Sequence, residues 1–425
     1  MKMLVPSLLV LPITKVVYFP GMWGLEMRTT MRFGSTALAL LTLGSFATIA
    51  GAQDDDKKKI ADGTPVLVQR FQRDDLESLC AVDFSPDSKF IYASPWSIAA
   101  HVVAAVDEKT GKLSHVQTLQ DADRIDGATG LRLSEDGQLA AAGAFRSNTV
   151  SLYTRDAKTG KLTYKDHKAQ GTDGVSGLSF AIDAMFSTDG KFVYGVDDRD
   201  GLTVFRVAGM RDDPKLEFVG NYDHEDLAGT RGLAFHPDGK HMFATCRHAH
   251  TLVVLARDPM SGEVKVHHVA RNGADGVKGL RGSFGVAVSP DGKFVYTVSG
   301  QFGDGDDAVG VFSFDADEGK VKQIQTIDTF DLAGADTGKA VPFEGGNEIA
   351  VSPDGENVYA VATISGALAV FDRDKETGEL KLTSMFGDPA TVGGAAGVAV
   401  SPNGRFVAIA AEKQATISIL RRRSD

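Results

Sequence analysis

The sequence predicts an all-β fold, a seven-bladed β-propeller of four-stranded antiparallel blades whose ring is closed by the N-terminal strand. Three observations carry that expectation. Glycine makes up 47 of 425 residues, roughly one in nine against a usual ~7%, in a chain without low complexity, so tight turns and short strands must be numerous. One turn recurs seven times: FSPDSKFIY at 84–92, LSEDGQLAA at 133–141, FSTDGKFVY at 186–194, FHPDGKHMF at 235–243, VSPDGKFVY at 288–296, VSPDGENVY at 351–359 and VSPNGRFVA at 400–408. The proline-equivalent positions 86, 135, 188, 237, 290, 353 and 402 are 49 to 63 residues apart, a period that belongs with propeller blades rather than helical or leucine-rich repeats.

The fifth repeat shows how one unit is built. Gly285–Ser289 alternates as a strand, and Pro290-Asp291-Gly292 supplies a preset φ followed by a residue tolerant of φ > 0. Phe294–Val298 is aromatic and β-branched, hence a second strand. Beyond an acidic loop, Val309–Phe314 is a third; Asp317-Glu318-Gly319 turns the chain, and Val321–Ile327 is the fourth. That second turn recurs as Lys109-Thr-Gly111, Lys158-Thr-Gly160, Met260-Ser-Gly262 and Glu376-Thr-Gly378. The last repeat stops after Thr416–Leu420, one strand short, while Pro65–Phe71 is an orphan strand resembling the fourth strands. Pairing the two completes the seventh blade and removes an exposed edge. A ring cannot be cut, so residues 65–425 are expected to form one domain.

Upstream, residues 1–52 read as a start placed too early followed by a signal peptide. Arg28 and Arg32 precede the apolar run Phe33–Ala50, and cleavage after Ala52 would leave Gln53 first. Residues 53–64 are a charged spacer containing DDDKKK. These features predict a periplasmic or secreted protein with no membrane span after signal cleavage, monomeric. The formal charge of −11 without a compensating basic stripe argues against nucleic acid as a partner.

The turns after first and third strands are near-identical between blades and read as scaffold. The variable loops of the other face converge on the central channel, where a ligand would bind. The innermost strands line that channel. Five residues before each proline-equivalent position they carry mostly Gly or Ala, interrupted by Asp183 and Glu348; one residue earlier, blade four carries Arg231. Buried charges without partners are costly, which marks these three as candidate site residues, with the competing reading that Arg231 merely pins blades together.

These repeats resemble, across nearly the whole mature chain, the lactonase-type seven-bladed propellers, which include 6-phosphogluconolactonases, carboxymuconate-cyclising enzymes and exported YVTN-repeat proteins. The family's Pro-Arg-His before a PDGK turn is similar to Thr230-Arg231-Gly232, which keeps the arginine and loses the histidine. Its Ala-Glu-Ile is similar to Asn347-Glu348-Ile349, and its blade-three channel histidine aligns with Asp183. Its Asn-Glu in blade four aligns with Cys246-Arg247, a charge reversal, and its Asn-Arg in blade six with Ala362-Thr363. Lactone opening needs a base for water and cations for the substrate's anionic group and the developing oxyanion. The resemblance therefore implies catalytic candidates Asp183, Arg231, Arg247 and Glu348, with either carboxylate as base and the two arginines as anion clamps.

Two functions follow. One is an exported module that binds a small molecule or an extracytoplasmic protein at the channel mouth. The alternative is a hydrolase that opens a sugar lactone in a rearranged site, acting on a small-molecule lactone or sugar acid. No cofactor is expected. Asp304-Gly305-Asp306-Asp307 is half a calcium loop without the closing carboxylate. His248-x-His250 offers zinc two ligands and no third, so no metal is expected either. Cys80 and Cys246 lie in blades one and four, and both are expected free and buried.

Overall fold

The computed structural model describes residues 64–199, 201–303, 305–328 and 337–422. They form seven four-stranded antiparallel sheets. In blades one to six the four strands follow chain order from the channel outward, as in blade three: Ala181–Phe186, Phe192–Asp197, Gly201–Met210 and Asp213–Tyr222. Blade seven takes its three inner strands, Ala395–Val400, Phe406–Ala411 and Thr416–Arg421, from the C-terminal end of the ring and its outer strand, Val66–Gln72, from the other end. Leu67 pairs with Leu420 and Gln72 with Thr416, so the orphan strand closes the ring as expected. The segment read as a signal peptide and most of the expected spacer lie outside the described residues.

The core is divided by seam. Each of the seven apolar clusters draws its residues from two neighbouring blades, as where Phe243 and Leu252 of blade four meet Val295 and Phe312 of blade five. A blade's second strand is therefore covered on both faces, which is why Phe192–Asp197 is buried throughout. The outer strands face water on one side, and Leu113–Gln120 is mostly open.

The repeated residues explain themselves at the seams. In FVY the tyrosine hydroxyl is buried against the next blade: Tyr194 donates to Gly262 O at 2.7 Å. It accepts from Arg257 Nε at 2.9 Å. Arg257 also donates to Gly239 O and pairs with Asp189 of the TDG turn at 3.1 Å. The same clamp joins Tyr92 to Arg155, Tyr296 to Arg373 and Tyr359 to Arg422, with Asp87, Asp291 and Asp354 as the carboxylates. It is missing at three seams. There the tyrosine position holds Ala141, Phe243 or Ala408, and the arginine position holds Val207, Phe314 or Val106. The scaffold reading of this face holds, because its turn aspartates are the anchors.

Candidate functional site

Every innermost strand opens with a register shift, for example between Leu79 and Ala81, Thr230 and Gly232, or Gly346 and Glu348. A bulge repeated at one place in all seven blades is a design feature that re-aims side chains at the rim. It sets the residue at the bulge at the channel mouth, and the next residue on the channel wall.

Below the mouth, a polar group crosses the lumen. Arg132 of blade two donates from Nε to Asp183 Oδ2 of blade three at 3.0 Å. Its Nη2 lies 3.7 Å from Glu348 Oε2 of blade six. Asp183 Oδ1 also accepts from the backbone N–H of Ala184 at 2.8 Å. The wall gives way for this: a Cβ on Gly130 would overlap the Asp183 carboxylate. Asp83 of blade one completes the group electrostatically, so three carboxylates share one guanidinium. Burial pushes the Glu348 carboxyl up to about 7; the attraction of Arg132 opposes this, and the negative charges of Asp183 and Asp83 add to it. Asp83 is raised to about 6, again by burial against the pull of Arg132. Glu348 nevertheless keeps 27% of its side chain open to the channel. The channel walls crowd it, so it is reachable from the lumen and poorly solvated at once.

The second group sits on the rim between blades three and four. Arg247 grips Asp198 with both branches, Nε to Oδ1 at 2.8 Å and Nη2 to Oδ2 at 2.7 Å. Arg231 Nε lies 2.8 Å from the same Oδ1, but its N–H is not aligned on that oxygen, so the contact is ionic and the nitrogen stays without a hydrogen bond. The guanidinium of Arg231 stacks over Phe284 at 5.0 Å and Phe302 at 5.5 Å, and that of Arg247 over Phe302 at 4.8 Å. Burial lowers Arg231 to about 10 even though Asp198 opposes the shift, and the charge of Arg247 deepens it. Two cations meet on one carboxylate, and the charge of the neighbouring buried Asp197 also acts on Arg231. A cleft of about 270 Å³ opens beside it, lined by Arg247, His248, His250, Gly282 and Phe302.

The four residues expected from the sequence thus fall into two groups. Asp183 and Glu348 meet through Arg132, while Arg231 and Arg247 meet on Asp198, and the inter-blade ion pair foreseen for Arg231 is present. The sequence reading passed over Asp83 and Arg132. The signal was there, one pleat deeper: at three residues before the turn position the blades read Asp83, Arg132, Met185, Ala234, Ala287, Ala350 and Ala399, and period 2 puts that row on the same wall.

The minor motifs resolve as well. Asp306 pairs with Arg281, and Asp307 accepts from the Gly345 N–H at 2.7 Å, so both shape their loop; Asp304 lies outside the described residues. His267 and His268 each contact a backbone carbonyl of blade five. Both cysteines are free and Cys246 is buried, but Cys80 is only half-buried. The expectation of burial fails there because Cys80 occupies the bulge position at the channel mouth.

Comparison with known proteins agrees with this architecture. The family model described as Lactonase, 7-bladed beta-propeller matches residues 53–177, 183–384 and 305–425. A 6-phosphogluconolactonase of Bacillus subtilis is 23% identical over 285 residues, covering 65% of this chain and 74% of the relative. Among solved structures, the periplasmic gluconolactonase of Pseudomonas aeruginosa aligns with a TM-score of 0.59 at 20% identity, over 74% of this chain and 86% of that one. Kuenenia stuttgartiensis hydrazine synthase reaches the same TM-score of 0.59 at 17% identity, over 83% and 98%. Likeness at that level establishes a fold that serves unrelated chemistries. The family match spans nearly all of the ring, and the chain belongs to the lactonase family of seven-bladed β-propellers.

Proposed function

We propose that this chain hydrolyses a small anionic lactone, a sugar-acid lactone or its phosphate ester, at the channel mouth. The observation that carries the reading is Glu348, a lumen-facing carboxyl tuned to about 7 by burial and by sharing Arg132 with two other acids. A general base works best when its pKa lies near the working pH. In this reading Glu348 takes a proton from water as the water oxygen bonds to the lactone carbonyl carbon. The proton then passes to the ring oxygen as the acyl C–O bond breaks, giving the hydroxy acid. Arg132 steadies the negative charge that develops beside it, and Asp183 positions Arg132. The rim guanidiniums of Arg231 and Arg247 hold the substrate's anionic group in this reading. The name of the B. subtilis relative supports the substrate class.

A second reading, a binding module without turnover, is favoured by one specific observation: both rim arginines are already committed to Asp198. Export to the periplasm or beyond, proposed from the leader-like residues 1–52, fits either reading and is tested by N-terminal sequencing of the protein recovered from fractionated cells. To decide between the two functions, protein beginning at Gln53 is assayed against 6-phosphogluconolactone and unphosphorylated sugar lactones, relative to the uncatalysed rate. Acceleration that is lost in Glu348→Gln, with loss of the phosphorylated substrate's advantage in Arg231→Ala, supports hydrolysis. Saturable binding of a lactone or sugar acid without acceleration supports the module.

A further inference from the structure

Blade four departs from its sisters on the face opposite the channel mouth. In the other six turns a serine closes the loop, its hydroxyl donating to the turn's Asp or Asn at 2.5–2.8 Å. Blade four has His236 there. Five residues on, where four blades carry Phe and the others Leu or Asn, it has His241. The two imidazoles converge on the turn carboxylate: His236 Nδ1 lies 3.0 Å and His241 Nδ1 2.7 Å from Asp238 Oδ2. Among the described residues this is the one group of three or more such side chains whose ligand atoms all lie within 4.8 Å of one another.

Part of the arrangement has a structural explanation. The seam between blades four and five lacks the Tyr–Arg clamp, and His236 Nε2 donates instead to Gly292 O across it at 3.0 Å. That bond fixes the ring with Nδ1 turned toward Asp238. His241 meets the Phe314 ring of blade five edge to face at 5.2 Å, a packing role for which the sister blades' Phe would serve without a ligating nitrogen. Metal-ligating imidazoles characteristically donate their second nitrogen to a carbonyl or carboxylate, which holds the tautomer and ring orientation; His236 has that outer bond in place. Ligand atoms around a zinc-sized ion with bonds of about 2.0–2.1 Å stand roughly 3.3 Å apart at the tetrahedral angle; the two imidazole nitrogens lie 3.0 and 2.7 Å from Asp238 Oδ2, so a small opening of the group admits the ion. His241 and Asp238 keep 15% and 27% of their side chains accessible, leaving a route for the ion and a position for a fourth ligand.

We propose that His236, Asp238 and His241 form a binding site for a zinc-like divalent cation on the scaffold face, fastening the seam that the arginine clamp leaves open. Binding displaces the proton shared by His241 and Asp238, and takes the Nδ1 lone pair of His236 from its 3.2 Å bond with the Asp238 N–H. Imidazole and carboxylate donors favour zinc over calcium or magnesium.

The test is titration of metal-stripped protein with Co²⁺, read by its visible absorption, and with Zn²⁺, read by the melting temperature. His236→Ser and His241→Phe restore residues that sister blades carry, so each variant has a local precedent for folding, checked by circular dichroism. One equivalent of Co²⁺ with a saturable visible band is expected, together with a higher melting temperature in Zn²⁺. Each variant should bind at least about tenfold more weakly. No saturable band in the unaltered protein, or a band of equal affinity in His241→Phe, would overturn the assignment. Neither outcome depends on lactone chemistry.

Discussion

Replacing Arg132 with methionine removes the one cation among three channel carboxylates while keeping most of its stem, and the effect should be read on Glu348. Across the 3.7 Å between Nη2 and Oε2, an effective dielectric of ~20–40 gives an attraction of roughly 2–4.5 kcal/mol, or ~1.5–3 pH units. The lower end is the better expectation, because water entering the space left by the guanidinium screens the remaining charges. Glu348 should then titrate ~1.5 units above its present position near 7, and its ionised fraction at pH 7 should fall from about half to ~3%. Carboxyl-labelled glutamate followed by ¹³C NMR across pH 5–10 reads the midpoint directly. If Glu348 is the base, kcat/KM at pH 7 drops at least ~15-fold in parallel and recovers only in part by pH 9–10, the remainder being the charge stabilisation that Arg132 no longer supplies. A midpoint that stays put or moves downward would refute the shared-cation reasoning. Lost activity with an unmoved midpoint would leave Arg132 acting on the developing charge or on the fold, and not through Glu348.

The same raised carboxyls set the pH dependence of stability. Glu348 and Asp83 bind protons more tightly folded than unfolded, so their contribution is present below pH ~4 and is lost as the pH rises through about 6 and 7. Melting temperature should therefore decline between pH 5 and 8, and Glu348→Gln should flatten the decline; a flat profile in the unaltered protein would count against it. Arg257→Met strips a seam clamp and should cost about 2–4 kcal/mol by denaturant unfolding. The lower half of that range is expected, because Asp189 keeps 28% of its side chain in water and is not stranded. Deleting residues 65–72 exposes the Thr416–Arg421 edge and should yield oligomers or aggregates by size-exclusion chromatography.

The fold was legible because a propeller repeats its solution. Each copy of the repeat states the same turn and buried strand, and four of the seven the same seam clamp, so the copies correct one another's ambiguities. Even ring closure could be read, since a missing strand at one end matched a spare strand at the other. The site was only half legible for the opposite reason. Asp183, Arg231 and Glu348 stood out as charges in a row of Gly and Ala, but which charge meets which depends on neighbours around the ring that are far apart in sequence. Arg132 and Glu348 are separated by four blades along the chain and face each other across the channel. Nothing in the sequence marks Asp198 as the acid that holds Arg231 and Arg247 together.

Regularity also supplies a way to find function in this molecule. A residue repeated in most blades answers to the seam, as the Tyr–Arg–Asp clamp does, and its loss should be read first in stability. A residue that breaks the repeat carries a cost the scaffold does not impose, and needs a separate reason. The breaks fall in two places. On the channel side they put three acids, one base and a cationic rim around an open lumen; on the opposite face they put two histidines on one turn aspartate. Blade four contributes to both, through Arg231 and Arg247 above and His236 and His241 below. Its two ends are joined by the strands Thr230–Phe235 and His241–Cys246, paired in register from Thr230–Cys246 to Phe235–Met242. A cation that stiffened the lower turn would act on the same two strands that carry the rim arginines, so Zn²⁺ should alter the rate or affinity for an anionic ligand only in protein that retains His241.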